Sequence, residues 1–319
     1  MPVLVYIDQA EGHIKKSSLE AAGYAAKVAE LTGTTAEAIV LGKVSDDLTS
    51  LGNYGVKKVH QVSQDALEHL DAQVFAQVIA TAATTIAASI IVVSNNVNGK
   101  AIAPRLSARL KAGLVAGAIA LPDISNGFVV KKAVFSGKAF ANVNISSASK
   151  IIALTPNAFT PVKTTDTAEV VEFPTAAATP KVKVIATNKV KGQVPLSEAE
   201  LVISGGRGLK GPENWGMIEE LAQLLGAATA CSRAVADAHW RPHHEHVGQT
   251  GGSVSPNMYF AVGISGAIQH LAGVNRSKVI VVINKDPEAP FFKAADYGIV
   301  GDAFEVMPKI IEAVKKLKG

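Results

Sequence analysis

The chain has 319 residues, of which 48% are hydrophobic and 18% charged, and its formal net charge at pH 7 is +4. This length suggests two domains, and the apolar content excludes a disordered chain. The small net charge is spread along the sequence, so nucleic-acid binding is not predicted. The single cysteine, Cys231, excludes an intramolecular disulfide framework and favours a reducing compartment.

The N-terminus lacks the apolar region of a signal peptide and the Arg-rich pattern of a transit peptide. The longest charge-poor run, residues 75–94, contains Gln77 and three threonines and changes to β-branched residues at its end. That change indicates a helix leading into a buried strand and not a membrane span. We therefore expect a protein that is not membrane-inserted, located in a bacterial cytoplasm or in the mitochondrial matrix of a eukaryote.

Residues 1–160 alternate between predicted strands and predicted helices, the pattern of a parallel α/β sheet. The predicted strands are residues 3–7, 36–41, 59–62, 90–93 and 151–154, and the predicted helices are residues 17–32, 72–88 and 100–110. Residues 128–135 and 138–145 flank a Ser-Gly pair, which predicts a hairpin. Residues 94–99 lie where such a sheet places ligands, but they lack a paired charged group, which favours a plain connector.

Residues 156–198 contain five prolines interleaved with threonine and alanine, although residues 182–185 form a strand-like run. This composition is typical of a linker. We place the domain boundary near residue 190. The prediction is an N-terminal α/β domain with a hairpin and a Pro/Thr-rich linker over residues 1–190, and a second domain over residues 191–319.

The second domain repeats the alternation of strands and helices, which predicts a second doubly wound parallel sheet. Its predicted strands are residues 201–203, 227–231, 258–262, 279–283 and 298–300, and its predicted helices are residues 213–225, 290–295 and 305–317.

Residues 247–273 contain two turns of small residues, one on each side of a strand. The second turn, Gly-Ile-Ser-Gly at residues 263–266, opens a predicted helix whose free N–H groups would seat a phosphate. Gly266 and His270 are four residues apart and are predicted to share a helix face. The predicted buried stripe of this helix is Ile264, Ile268 and Leu271. An ordinary strand–helix unit without a ligand is the alternative, because this turn is not a GxGxxG motif.

Polar residues follow the strands of the second domain, and the carboxyl ends of parallel strands meet at the edge where dinucleotides bind. They are Arg207, Ser232, Arg233, Ser265, Asn284 and Asp302. Arginine suits phosphates or an electron-rich ring, whereas asparagine and aspartate suit ribose or adenine. Taken singly, each is an ordinary loop residue; as an ordered set they predict a dinucleotide site.

Four histidines, His239, His243, His244 and His246, lie close together with Glu245. A metal site is the alternative interpretation, but their spacing does not build a defined one and no cysteine lies beside them. We predict an exposed loop and no metal.

Six ordered blocks of the sequence resemble the FAD-binding domain of the alpha subunit of electron-transfer flavoprotein: SGGRGLK, CSRAVADA, VGQTG, YFAVGISGAIQHLAG, VINKDPEAPFF and ADYGIVGD. The resemblance is dense over residues 200–305 and looser over residues 1–160, where the family also has an α/β domain. The departures are Gly211-Pro212 for Ser-Gly, Gly252 for a common lysine, and a histidine-rich segment at residues 241–246. None of them removes a residue with which the family holds flavin.

The resemblance implies a Rossmann-like domain that holds one FAD, and a heterodimer with a beta subunit that usually holds AMP. It implies an electron carrier of fatty acid β-oxidation and no enzyme with its own substrate. Electrons would come from primary dehydrogenases, such as acyl-CoA dehydrogenases, and pass singly to a quinone oxidoreductase. The implied FAD contacts are Arg207, Ser232, Arg233, Val247, Gly248, Gln249, Thr250, Ser265, Gly266, Ala267, Ile268, Gln269, His270, Asn284 and Asp302.

The resemblance also implies redox tuning by three of these residues, with Arg233 against the isoalloxazine, Thr250 near its N5 and His270 near its O2. A cationic or hydrogen-bonding His270, together with Arg233, would stabilise negative charge around N1 and O2 of a reduced flavin. Each charge-assisted hydrogen bond contributes about 1.5–3 kcal/mol.

Two alternatives stay open. One is a flavin- or nicotinamide-linked oxidoreductase that uses the same pocket, although no catalytic triad, carboxylate pair or nucleophilic cysteine is recognisable in the sequence. The other is a flavin-bifurcating relative that uses NADH and has an extra flavin in the partner subunit.

Overall fold

The structure is a computed structural model that describes residues 1–187, 195–196 and 198–318. The chain divides into two compact units, Met1–Val134 with Phe140–Asn188 and Phe135–Ala139 with Lys189–Gly319. The predicted boundary near residue 190 lies outside the described residues.

A nine-stranded sheet forms the centre of the first unit, with the strand order β11-β5-β4-β1-β6-β10-β7-β8-β9. The elements, in chain order, are β1 (Val3–Ile7), β2 (Gln9–Ala10), β3 (His13–Ile14), α1 (Lys16–Leu31), β4 (Ala36–Leu41), β5 (Val56–Val62), α2 (Ala72–Thr85), β6 (Ile90–Ser94), α3 (Val97–Leu110), β7 (Gly113–Ala118), β8 (Val129–Val134), β9 (Ala139–Asn144), β10 (Lys150–Leu154) and β11 (Glu169–Glu172). All neighbouring strands from β11 across the sheet to β7 pair in parallel. Strand β8 is antiparallel to β7.

Strand β1 shows why this sheet is covered on both faces. Its alternating side chains Val3, Val5 and Ile7 belong to one apolar core, and Leu4 and Tyr6 belong to the other. Each of the five is at most 2% exposed. A run without polar residues is therefore required, as in other parallel strands buried between two helix layers.

The predicted elements of the first unit are present, with one exception. Residues 182–185 do not form a strand, and Val182 and Ile185 are 65% and 94% exposed. Strands β7 and β11 were not predicted, because β7 is rich in glycine and alanine and β11 has a glutamate at each end. No helix of the described ranges has the length and apolar character needed to cross a membrane.

The second unit contains a five-stranded sheet whose neighbouring strands all pair in parallel, in the order β13-β12-β14-β15-β16. Its elements are β12 (Leu201–Gly205), α4 (Gly216–Leu225), β13 (Ala228–Cys231), α5 (Arg233–Asp237), β14 (Met258–Val262), α6 (Ile268–Val274), β15 (Val279–Asn284), β16 (Tyr297–Val300) and α7 (Ala303–Lys318). The predicted doubly wound parallel sheet is confirmed. The strand order is 2-1-3-4-5, which is the flavodoxin-like variant of the doubly wound sheet.

The strand order fixes where a ligand can bind to this sheet. The chain leaves β12 toward β13 on one side and later returns to β14 on the other, so the switch point lies between β12 and β14. Gly205 pairs with Val262, so both strands end at the same level. Ligands of open α/β sheets bind in the crevice beyond the carboxyl ends of the strands at such a point.

Candidate functional site

A pocket of about 650 Å³ lies at the carboxyl edge of the second sheet. It is lined by Arg207, Gly208, Ser232, Arg233, Ala234, Asp237, His246, Val247, Gly248, Gln249, Thr250, Gly263, Ile264, Ser265, Ala267, Gln269, His270, Asn284 and Asp286. Its volume falls within the range of about 300–1,000 Å³ that is typical of ligand and cofactor sites.

Twelve of the fifteen predicted contact residues line this one pocket: Arg207, Ser232, Arg233, Val247, Gly248, Gln249, Thr250, Ser265, Ala267, Gln269, His270 and Asn284. Gly266, Ile268 and Asp302 do not line it. Ile268 is 60% exposed. The Asp302 carboxylate accepts a hydrogen bond from the Phe304 N–H at 3.0 Å, so it caps the start of α7.

Seven lining residues were missed by the sequence interpretation: Gly208, Ala234, Asp237, His246, Gly263, Ile264 and Asp286. Each lies within four residues of a predicted contact. For Gly208, Gly263, Ile264 and Asp286 the position shortly after a strand was the available signal, whereas Asp237 and His246 reach the pocket through the fold and have no such signal.

Two glycine turns touch at the switch point. The Gly206 N–H donates to the Val262 carbonyl at 2.8 Å and the Gly208 N–H donates to the Gly263 carbonyl at 3.0 Å. A Cβ at Gly208 would lie 2.7 Å from the Gly263 Cα, and a Cβ at Gly263 would lie 2.9 Å from the Gly208 Cα. Only glycine at both positions permits this approach, which leaves the rim of the crevice free of side chains.

The turn at residues 247–251 uses most of its own N–H groups within the protein. The Gly248 N–H donates to the Gly252 carbonyl at 3.1 Å, and the Gln249 N–H donates to the Gln269 carbonyl at 2.7 Å. The Gly251 N–H donates to the Gly248 carbonyl at 3.2 Å. These bonds close the turn on itself and on α6.

The helix predicted to open at residues 263–266 starts later and is short. Helix α6 comprises seven residues, Ile268–Val274, so Gly266 precedes it and shares no helix face with His270. Gly266 instead adopts a φ of +83° in the turn. The predicted buried stripe is wrong for Ile268, which is exposed, whereas Ile264 is buried. A seven-residue helix contributes little dipole, so side chains and turn geometry decide the character of this site.

His270 lies in an aromatic cluster behind the pocket. Its Nε2 is 2.9 Å from the Tyr259 hydroxyl, its ring centroid is 5.7 Å from that of Phe291, and it is 7% exposed. Burial lowers the pKa of His270 to about 4. Burial thus favours the neutral imidazole at pH 7, which suits the hydrogen-bonding role predicted for His270 better than the cationic one. The hydrogen-bonding role stays a prediction.

Positive charge at the pocket comes from two arginines. Arg207 is exposed and makes no ion pair with any residue of the described ranges. The Arg233 Nε is 3.2 Å from the Asp237 carboxylate, and the two side chains are 64% and 56% exposed. Because an exposed pair of this kind contributes at most about 1 kcal/mol, Arg233 can leave Asp237 for a ligand at little cost.

Asn284 joins two of the turns. Its Nδ2 donates to the Ile264 carbonyl at 3.0 Å, and its Oδ1 accepts from the Asp286 N–H at 3.1 Å. The end of β15 is thereby fixed to the turn that follows β14.

The histidine-rich segment is only partly the exposed loop that was predicted. His243 and His244 are exposed, but Glu245 and His246 are each 3% exposed. Arg241 donates to the two Glu245 carboxylate oxygens at 2.9 and 2.7 Å and lies 5.4 Å from the Trp215 ring centroid. This anchor buries the second half of the segment. In the part of the chain that the structure describes, no group of three or more His, Cys, Asp or Glu side chains is placed to hold a metal ion.

Comparison with known proteins gives the family of this chain. Residues 195–275 match the electron transfer flavoprotein FAD-binding domain, and residues 3–178 match the electron transfer flavoprotein domain. The chain belongs to the electron transfer flavoprotein alpha-subunit family. It is 36% identical over 318 residues to the electron transfer flavoprotein subunit alpha of Syntrophomonas wolfei, with 98% of each chain covered.

Two further relatives show the extent of the match. The subunit alpha of Paracoccus denitrificans is 45% identical over 181 residues, which is 56% of this chain and 59% of the relative. Protein FixB of Clostridium saccharobutylicum is 34% identical over 322 residues, with 99% of this chain and 96% of the relative covered. The second unit thus contains the FAD-binding domain of the family.

The pocket has the chemistry that FAD requires. The Nδ1 atoms of His246 and His270 are buried and have no hydrogen-bond partner among the described residues. Buried polar atoms without a partner are costly, so a ligand that supplies an acceptor to His270 would stabilise the pocket, whereas the His246 ring lies against the turn at Gly251. Arg207 and Arg233 offer charge for a pyrophosphate, and the glycine turns let a flat ring approach the backbone.

Proposed function

We propose that this chain is the FAD-holding subunit of a heterodimeric electron carrier. A beta subunit that holds AMP completes the heterodimer. The carrier accepts electrons from primary dehydrogenases, such as the acyl-CoA dehydrogenases of fatty acid β-oxidation, and passes them singly to a quinone oxidoreductase. The observation that supports it most is the convergence of twelve predicted contacts on one pocket in an FAD-binding domain.

In this proposal some side chains of the pocket bind FAD and others tune the redox properties of its ring system. Bound FAD supplies the ability to take up and release electrons one at a time. Arg207 and Ser232 bind its phosphates, and Asn284 keeps the turn that contacts them in place. Arg233 lies against the ring system, and the neutral His270 provides a hydrogen bond near the edge where negative charge collects.

A carrier fits the pocket better than an enzyme with its own substrate. Cys231, the single cysteine, is fully buried, and burial raises the pKa of its thiol to about 12. It therefore provides no thiolate nucleophile at neutral pH. The polar side chains of the pocket are the predicted flavin contacts and the immediate neighbours of those contacts.

The test uses the chain purified together with its beta subunit. We expect one FAD and one AMP per heterodimer, and bleaching of the flavin absorbance when an acyl-CoA dehydrogenase and its acyl-CoA substrate are added. Reoxidation should follow addition of a quinone oxidoreductase and a quinone. Steady turnover with NADH alone would instead favour a nicotinamide-linked or bifurcating oxidoreductase.

Two variants separate the pocket from general surface charge. Arg207→Ala should weaken FAD binding by about tenfold or more, because it removes one charge-assisted contact of about 1.5–3 kcal/mol. Lys210→Ala, which removes a nearby side chain that does not line the pocket, should bind FAD as the wild type does. Equal affinities in the two variants would contradict the assignment of Arg207.

A further inference from the structure

His246 is buried at the pocket, although it is not among the predicted flavin contacts. It is 3% exposed, lines the pocket and follows the segment anchored by Arg241. Its backbone continues the sheet, because the Val247 N–H donates to the Cys231 carbonyl at 3.1 Å. The His246 carbonyl accepts a hydrogen bond from the Gly252 N–H at 2.8 Å. His246 therefore precedes the 247–251 turn in the chain and also binds the residue that follows it.

The imidazole ring of His246 fills the inside of this turn. A Cβ at Gly251 would lie 2.8 Å from both Cγ and Nδ1 of the ring, and a Cβ at Gly248 would lie 3.3 Å from Nε2. The ring is therefore enclosed by two turn glycines that leave it room. Thr250, which is predicted to face the flavin N5, lies between these two glycines.

We propose that His246 is a positioning residue of the FAD pocket, whose imidazole ring holds the 247–251 turn in its cofactor-binding shape. This inference rests on the proposed function, because it assigns a role in holding FAD. The ring supports the turn by packing, since it lies against Gly251 and Gly248 and is 3% exposed.

The surroundings of the ring disfavour its protonated form. Burial lowers the pKa of His246, and His243, whose ring centroid is 5.5 Å away, lowers it further, as does Arg233; Asp237 acts in the opposite direction. The charge of His246 in turn lowers the pKa of His270. The titratable and charged groups around the ring are His243, Glu245, Arg233, Asp237, Cys231 and His270.

The sign of the pH dependence follows from this depressed pKa. In an opened turn His246 would titrate near the ordinary histidine value of about 6.5, whereas in the closed turn it titrates lower. Protons therefore favour the opened turn, and FAD affinity falls as the pH drops below about 6.5. One proton can account for a change of up to about tenfold between pH 7.5 and pH 5.5.

The experiment measures the dissociation constant of FAD by flavin fluorescence at pH 7.5 and pH 5.5, with the chain in complex with its partner subunit. For the wild type we expect weaker binding at the lower pH, by up to about tenfold. His246→Gln, which keeps a neutral polar side chain, should retain the affinity at pH 7.5 and lose the pH dependence. His246→Ala should bind FAD more weakly at both pH values, because it empties the inside of the turn. His244→Gln, an exposed neighbour, should behave as the wild type does.

The outcomes separate this inference from the proposed function. A folded wild-type complex that takes up no FAD defeats the proposed function. A wild type that binds FAD with the same affinity at both pH values overturns the role of His246, as does a His246→Gln variant that keeps the full pH dependence. If His246→Ala does not fold, the pH profile of His246→Gln still decides the question.

Discussion

The properties of single residues in this pocket are set by burial more than by residue type. His270 is 7% exposed, between Tyr259 and Phe291, and this burial lowers its pKa and favours the neutral form at neutral pH. Arg233, by contrast, lies at the surface, where its exposed pair with Asp237 contributes at most about 1 kcal/mol. The sequence suggests both His270 and Arg233 as positive groups near a flavin. Their different burial gives them different roles in the fold.

The depressed pKa of His270 predicts acid sensitivity of the second unit. The folded-state pKa of about 4 lies below the ordinary value of about 6.5, so the unfolded chain binds the proton first as pH falls. Stability is therefore complete above about pH 6.5 and is lost progressively down to about pH 4, by up to about 3 kcal/mol.

Tryptophan fluorescence can measure this loss, because both tryptophans of the chain, Trp215 and Trp240, lie in the second unit. Between pH 7.5 and pH 4.5 the free energy of unfolding of His270→Gln should fall by about 2 kcal/mol less than that of the wild type. His244→Gln, which removes an exposed histidine, should follow the wild type. An unchanged slope in His270→Gln would show that His270 is protonated equally in both states.

At the scale of elements, the site consists of turns held at strand ends by close backbone approaches. Gly208 and Gly263 touch across the switch point, and Asn284 ties a third turn to them. The first sheet has a corresponding switch point between β1 and β6, but its own side chains fill it. There the Asp8 carboxylate accepts hydrogen bonds from Asn96 and Asn98 at 2.8 and 2.9 Å.

Gly266 provides a test of the turn that follows β14. Its φ is +83°, and a Cβ there would lie 2.5 Å from the Phe291 Cβ. Gly266→Ala should therefore combine backbone strain of about 1–3 kcal/mol with overpacking of similar size.

Gly226→Ala is the matched control in the same unit, because Gly226 has a φ of +65° but no heavy atom lies within 4 Å of the position that its Cβ would take. Its cost should be limited to about 1–2 kcal/mol of backbone strain. Urea unfolding followed by tryptophan fluorescence measures both variants. If the two variants lose the same stability, packing against Phe291 does not hold this turn.

At the scale of the whole molecule, the chain contains two units with separate apolar cores. Two cores cover the faces of the nine-stranded sheet, and two others, around Trp215 and Tyr259, cover the faces of the five-stranded sheet. Each unit has enough buried apolar surface for a core of its own. The proposed cofactor site lies entirely within the second unit.

FAD should accordingly stabilise the second unit by mass action. At an FAD concentration about one hundred times its dissociation constant, the free energy of unfolding should rise by about 2.7 kcal/mol. We expect the thermal transition followed by tryptophan fluorescence to move upward with FAD concentration. Arg207→Ala should show a smaller shift at the same FAD concentration, and a transition that does not respond to FAD would contradict binding in this unit.

The sequence alone determined the fold class, most element positions and five residues of the pocket, Arg207, Ser232, Arg233, Ser265 and Asn284, whereas the resemblance to the family supplied the other seven predicted contacts that line it. It did so because apolar periodicity, turn glycines and strand-end positions are local signals that a parallel sheet converts into one edge. The tertiary structure decided the strand order, the late start of α6 and the neutral state of His270. It also decided the burial of His246. These depend on contacts between residues far apart in the chain, such as Gly208 with Gly263 and Tyr259 with His270, which local patterns do not contain.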